Sequence, residues 1–227
     1  MNANAETNRN VRGTIEHTLL SAAARVSAIE SLCAEALANA FAGVCVNPVH
    51  VARCAQRLQG SGLAVISVVG FPLGATYARC KALECGLVIL DGATEVDMVM
   101  NLSAAVEGDF DAVEADARAV VEAAAGRPVK LIIETGLLNE SQKVSACQAA
   151  ARAGIAFVKT CSGFAAGTAT VDDVALLRRT VGDHMRIKAS GGIRGAEAAL
   201  ALLAAGADRL GTSAGVQIVR ELEAAAR

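Results

Sequence analysis

Short runs rich in Val, Ile and Leu alternate with helical stretches along this chain, and that alternation limits the fold more than any other feature. Eight such runs are expected as strands, at 15–19, 43–46, 64–69, 95–100, 130–134, 157–159, 186–188 and 209–211. Strand, helix and strand repeated in this way give parallel strands joined by right-handed crossovers. Several runs are continuously apolar, as expected where helices cover one face and a packed interior fills the other. The helical stretches carry start signals. Ser27 with Glu30 and Asn139 with Gln142 read as capping boxes, and Asn47 followed by Pro48 as an N-cap with first-turn proline. Gly154 marks the end of the helix that Asn139 begins. Eight strands and about as many helices in 227 residues predict an α/β fold, the (β/α)8 TIM barrel. We expect one catalytic barrel domain over 13–227, preceded by a flexible polar tail at 1–12.

Composition removes several classes of function. A net charge of −2, with no long run of one sign, offers no basic stripe for a nucleic-acid backbone. The longest apolar stretch, 63–75, is interrupted by Gly70, Pro72 and Gly74 and is too short for a bilayer, so no membrane partner is expected. The first dozen residues are polar and lack the apolar centre of a signal peptide. Seven scattered cysteines without a Cys-x-x-Cys pair favour free thiols in a reducing, cytoplasmic compartment. Cys45, His50 and Cys54 were weighed as metal ligands and set aside, because a fourth ligand is missing and small buried thiols are common in cores. The Ala-rich helices leave room for a homodimer face without requiring one.

In a barrel of this type the C-terminal ends of the strands converge on one mouth. The polar residues fall there: Glu16 and His17, Cys45 and Asn47, Asp97 and Asn101, Glu134 and Thr135, Lys159, Lys188, and Thr212 with Ser213. Lys159 and Lys188 stand out, since each closes an apolar run and precedes a glycine turn. An ammonium in such a place loses hydration and becomes a nucleophile more easily. Two such nitrogens about 5 Å apart would repel by roughly 3 kcal/mol, enough to keep one neutral. The expectation is a neutral Lys159 as nucleophile, a charged Lys188 beside it, and Asp97 as the carboxylate that touches one of them. A neutral amine in an enclosed mouth forms an imine with a carbonyl, and Asp97 with Lys188 could relay the protons. Gly163 follows the Lys159 strand, where alone it would read as a tight turn, and the Gly191-Gly192 pair and the 211–215 segment follow the last two strands, where backbone N–H groups and a helix N-terminus hold phosphate. A phosphorylated substrate is implied.

These residues resemble a known family, deoxyribose-phosphate aldolase. The likeness runs through Ile15-Glu16-His17-Thr18-Leu19-Leu20, Val44-Cys45-Val46-Asn47-Pro48, Val69-Gly70-Phe71-Pro72-Leu73-Gly74, Glu95-Val96-Asp97-Met98-Val99 and Ile133-Glu134-Thr135. Phe157-Val158-Lys159-Thr160, Lys188-Ala189-Ser190-Gly191-Gly192-Ile193-Arg194 and Gly211-Thr212-Ser213 complete it in order. The resemblance implies a (β/α)8 barrel that reversibly cleaves 2-deoxy-D-ribose 5-phosphate to D-glyceraldehyde 3-phosphate and acetaldehyde, with no metal or organic cofactor. It implies Lys159 as the Schiff-base lysine, and Asp97 and Lys188 as the proton-relay pair. The expected substrate-binding set is Glu16, Cys45, Thr160, Gly163, Gly191, Gly192, Gly211 and Ser213, with Gly163, Gly191, Gly192 and Ser213 toward phosphate. Glu16 stands where the family usually has Asp, Cys161-Ser162 where Ser-Thr is common, and Gly136 where Cys is frequent. The one tyrosine is Tyr77, so a terminal tyrosine found in some members is absent. Two rival readings are an imine-forming barrel aldolase for another phosphorylated sugar and a non-catalytic phosphate-binding barrel.

Overall fold

Each expected apolar run forms a strand, and the eight strands pair in sequence order into one closed parallel barrel, β1 to β8, with β8 returning to β1. The computed structural model describes residues 11–226. The strands are β1 (Ile15–Leu19), β2 (Gly43–Val46), β3 (Ala64–Val69), β4 (Glu95–Val99), β5 (Val129–Ile132), β6 (Phe157–Lys159), β7 (Arg186–Ser190) and β8 (Arg209–Thr212). β7 and β8 run further than expected and β5 ends earlier, with Glu134 turned into a left-handed conformation at φ 51° just beyond it. Of the expected tail, 1–10 lie outside the described residues. Val11 is buried in the core and Arg12 pairs with Glu223, so the ordered chain begins before position 13.

The crossovers are α1 (Val26–Ala38), α2 (Val51–Arg57), α3 (Ala78–Leu90), α4 (Leu102–Glu107), α5 (Phe110–Ala123), α6 (Glu140–Ala153), α7 (Val171–Val181), α8 (Ala196–Ala204) and α9 (Gly215–Ala225). The capping box at Asn139 and Gln142 forms on both sides, and Gly154 closes α6 in a left-handed turn. The box expected at Ser27 does not form. α1 starts two residues earlier than a Ser27 cap would set it, with Arg25 as its N-cap and no side-chain cap bond. Asn47 precedes a 3-10 turn at Pro48–His50 and spends its amide on the Leu20 carbonyl at 3.2 Å instead of capping.

Side chains on a strand alternate between the two faces of the sheet, and here the two faces differ in kind. The outer face carries Ile15, Val44, Val65, Val96, Leu131, Val158, Ile187 and Leu210 into one continuous apolar layer under the helices. The inner face holds an apolar cluster of Cys45, Ile66 and Val68, which pack with Leu20, and carries buried Val99, Ile132 and Phe157 two residues from Asp97, Lys130 and Lys159. Between them lie ions: Glu16, Asp97, Lys130 and Lys188 are fully buried there. The continuous apolar runs pointed to a packed interior, and the structure sets buried charges within it.

Cys45 belongs to this inner layer, whereas Cys54 packs in the outer one, so the two thiols weighed as metal ligands do not share a site. Among the described residues no group of three or more His, Cys, Asp or Glu side chains could hold a metal. No helix among them is long and apolar enough to cross a membrane.

Candidate active site

Five strands bring the charged side chains together. Register pairs Asp97 on β4 with Lys130 on β5, and Lys159 on β6 with Lys188 on β7. The Asp97 carboxylate lies at the centre. Its Oδ2 accepts from Lys159 Nζ at 2.8 Å and Lys188 Nζ at 2.6 Å, and its Oδ1 accepts from Lys130 Nζ at 2.9 Å. Glu16 on β1 pairs with Lys188 through Oε2 and with Lys130 at 3.5 Å through Oε1. Glu95 reaches Lys130 at 2.6 Å from below. Three lysines thus face three carboxylates, a balance that buried ions require if their lost hydration is to be offset.

The electrostatics follow from this geometry. Burial by itself would pull the Lys188 ammonium down, but Asp97 and Glu16 overcome it and hold its pKa above the ordinary lysine value. Lys130 is raised in the same way, its burial outweighed by Asp97 and Glu16. Burial would push Asp97 up, yet Lys130, Lys159 and Lys188 hold it well below the usual carboxylate range. Glu16, also buried, is lowered by Lys130 and Lys188. Burial pushes the Cys45 thiol up to about 11, so it stays protonated beside Asp97 Oδ2, 3.8 Å away. The arrangement differs from two bare ammoniums opposing each other. Asp97 stands between Lys159 and Lys188 and accepts from both.

One of the three lysines reaches the cleft. A cleft of about 540 Å³ opens at the strand C-termini, and Lys159 is the lysine of the three that lines it. Its wall includes Ser162, Gly163, Phe164, Gly191, Gly192, Arg194, Gly211 and Ser213. Gly163, Gly191 and Gly192 have φ of 82°, 103° and 75°, a region that L side chains rarely adopt. A Cβ on Gly192 would sit 2.7 Å from Thr168 Cγ2, whereas one on Gly163 would meet nothing, so Gly163 leaves its space open to the cleft. Gly211 serves the lysines: a Cβ there would lie 2.8 Å from Lys188 Cε and 2.9 Å from Ser190 Cβ.

Of the residues expected to contact substrate, Gly163, Gly191, Gly192, Gly211 and Ser213 line the cleft. Glu16, Cys45 and Thr160 lie beneath it. Glu16 is committed to the lysines, and Thr160 ties β6 to β7 by donating to the Ser190 carbonyl and accepting its N–H at 2.8 and 3.0 Å. Other polar residues of the mouth are also held in place. His17 Nε2 meets Glu35 at 2.8 Å, Glu134 accepts the Ser162 N–H at 3.1 Å, Thr212 donates to the Ile193 carbonyl at 2.6 Å, and Asn101 caps α4. Gly136 has a specific use, because a Cβ there would stand 2.3 Å from the Ala166 carbonyl oxygen of the loop after β6. That loop also carries Phe164, which meets Phe71 edge-on at 5.1 Å across the mouth.

Three residues escaped the sequence reading, Lys130 and Glu95 in the ion cluster and Arg194 on the cleft wall. Lys130 stands between Val129 and Leu131 in a buried strand. It neither closes its apolar run nor precedes a glycine turn, the two signs that single out Lys159 and Lys188.

Residues 12–222 match the profile of the DeoC/LacD family aldolases. The chain belongs to that family. A Streptococcus uberis protein named deoxyribose-phosphate aldolase is 52% identical over 205 residues, covering 90% of this chain and 93% of its own. A Geobacillus protein of the same name is 51% identical over 211 residues, 92% of this chain and 95% of its own. The solved deoxyribose phosphate aldolase of Aeropyrum pernix, described as tetrameric, has a TM-score of 0.90 at 31% identity, covering 96% of this chain and 93% of that one.

The pKa shifts in this aldolase-family site carry a sign for stability. Lys188 is raised on folding, so its contribution is complete below the unfolded lysine value and is lost as pH rises through the folded one. Asp97 and Glu16 are lowered, so theirs is complete above the unfolded carboxylate values and is lost as pH falls through the folded ones. Glu16→Gln should therefore cost about 3 kcal/mol of unfolding free energy. In urea titrations the deficit should be equal at about pH 6 and 9 and shrink below about pH 4. A deficit that grows on acidification would contradict the assignment.

Proposed function

We propose that this barrel is a class I deoxyribose-phosphate aldolase, reversibly cleaving 2-deoxy-D-ribose 5-phosphate through an imine on Lys159. The observation that carries the reading is the selective opening of the cluster. Lys159 meets the cleft while its nitrogen touches the same Asp97 oxygen as Lys188, which is sealed below. Nucleophile and proton-transfer groups are thereby joined by a single carboxylate, as covalent catalysis with a shuttle requires.

The unprotonated Lys159 amine adds to C1 of the open-chain sugar and expels water, leaving an iminium. Removal of the C3 hydroxyl proton then breaks the C2–C3 bond. The bonding pair moves to C2 as the iminium becomes an enamine, and C3 becomes the aldehyde of glyceraldehyde 3-phosphate. Protonation at C2 and hydrolysis release acetaldehyde and return the amine. Asp97 and Lys188 move the protons, through water where the reacting atoms lie beyond direct reach. The pairing of Glu16 with Lys188 and Lys130 favours both as cations in the resting site, where they keep Asp97 ionised. Phosphate fits the part of the cleft lined by Gly163, Gly191, Gly192, Arg194 and Ser213, next to the start of α9, where backbone N–H groups and the guanidinium would be its donors. The reading extends to cytoplasmic breakdown of deoxyribonucleotide-derived sugar, in keeping with seven free cysteines.

Borohydride with acetaldehyde tests the mechanism directly. An ethyl group should be added at Lys159, and intact-mass and peptide measurements should find none in Lys159→Leu. Modification at Lys130 or Lys188 instead, or no modification, would refute the imine assignment. The same geometry makes Gly211→Ala informative, since the new methyl presses on Lys188 Cε at 2.8 Å. Displacing that ammonium should lower kcat by about 100-fold with little change in KM. A melting temperature near wild type would separate this from unfolding, and an unchanged kcat would count against Lys188 as a relay.

A further inference from the structure

His17 is a buried polar side chain that the ion cluster does not use. It stands on the outer face of β1 with Ile15, opposite to Glu16, and is 3% exposed. Its Nε2 meets Glu35 of α1 at 2.8 Å and its ring lies 5.3 Å from that of Phe41, so two contacts fix its orientation. A carboxylate can only accept, so Nε2 carries the proton and Nδ1 is left as the acceptor of a neutral ring. That Nδ1 is buried and has no hydrogen-bond partner. Leaving a buried acceptor bare costs free energy, which makes the direction it faces informative.

It faces the start of α9. A Cβ on Gly215, the first residue of that helix, would stand 3.1 Å from His17 Nδ1, 3.0 Å from Phe41 Cζ and 3.1 Å from Ile15 Cγ2. Gly215 is not among the glycines with positive φ, so glycine is needed there for space and not for backbone freedom. The three contacts form a floor on which the first turn of α9 rests. Above that floor no side chain caps the helix, and the Ala214 N–H is taken by Thr212 Oγ1 at 2.9 Å. The N–H groups that follow are left for a ligand, next to Ser213 on the cleft wall. A lone pair set under the positive end of a helix is a favourable pairing.

We infer that His17 is a positioning residue for phosphate, setting through Gly215 where the uncapped N-terminus of α9 stands beside the cleft. This rests on the reading of that part of the cleft as the phosphate end. His17 does not line the cleft and pairs with none of the three lysines. Its loss therefore weakens the hold on phosphate and leaves the imine chemistry intact.

Steady-state kinetics on 2-deoxy-D-ribose 5-phosphate, with inorganic phosphate as competitive inhibitor, separate the two effects. His17→Phe keeps a ring and removes the acceptor. It should raise KM and the phosphate inhibition constant together by about 10-fold, with kcat within about 2-fold of wild type. The rate of acetaldehyde trapping at Lys159, which involves no phosphate, should be unchanged. His17→Asn places Oδ1 near the position of Nδ1 and should recover most of the phosphate affinity. His17→Gln keeps only the reach to Glu35 and should not. Gly215→Ala should raise the phosphate constant by a similar factor, because the new methyl lifts the first turn off its floor. Phosphate inhibition of His17→Phe equal to wild type would overturn the positioning role and leave the phosphate reading standing. Losses of kcat and trapping that match the loss of phosphate affinity would do the same. A wild-type chain that phosphate does not inhibit would overturn the phosphate reading itself, and this inference with it. If His17→Phe does not fold, the phosphate constant of Gly215→Ala decides the question, and an unchanged value there overturns the inference.

Discussion

One carboxylate organises the interior of this barrel. Asp97 accepts from three lysine nitrogens at 2.6 to 2.9 Å, each supplied by a different strand, and it is fully buried. An ion placed there alone would lose several kcal/mol of hydration, and only well-made pairs can offset that loss. The charges on β1, β4, β5, β6 and β7 therefore depend on one another. Removing any one leaves its partners buried and uncompensated, which makes the cluster a structural constraint as well as a chemical one.

The same constraint assigns unequal roles to like residues. Lys130 is clamped by Asp97, Glu16 and Glu95, and Lys188 by Asp97 and Glu16, whereas Lys159 has one carboxylate partner and a wall of the cleft. The lysine with the fewest ionic ties is thus the one that substrate can reach. Gly211 shows how far the backbone serves this arrangement, since any side chain there would displace Lys188. Gly136 acts similarly one layer out, giving room to the loop that carries Phe164 over the mouth.

Much of this was legible in the sequence, for identifiable reasons. Parallel strands buried on both faces announce themselves as dense Val, Ile and Leu runs, so all eight were found in order. Lys159 and Lys188 were visible because each interrupts a strand end next to a glycine turn. Lys130 was missed because it sits inside a strand, where local pattern does not say which face a residue occupies; the register with Asp97 supplies that. Glu16 was read as a substrate contact because its position at the mouth was clear and its ionic partners, 114 and 172 residues away in sequence, were not. Ser27 failed as a cap for a local reason, since α1 had already begun at Val26 and left Ser27 within its first turn.

The central claim is that Lys188 and Lys130 are cations around an ionised Asp97 in the resting site, with Lys159 as the lysine open to chemistry. Neutron diffraction from deuterated crystals near neutral pD reads those protonation states atom by atom. The account predicts three deuterons on each of Lys130 Nζ and Lys188 Nζ and none on the carboxylates of Asp97 and Glu16. A deuteron on Asp97, or a Lys188 carrying only two, would contradict it.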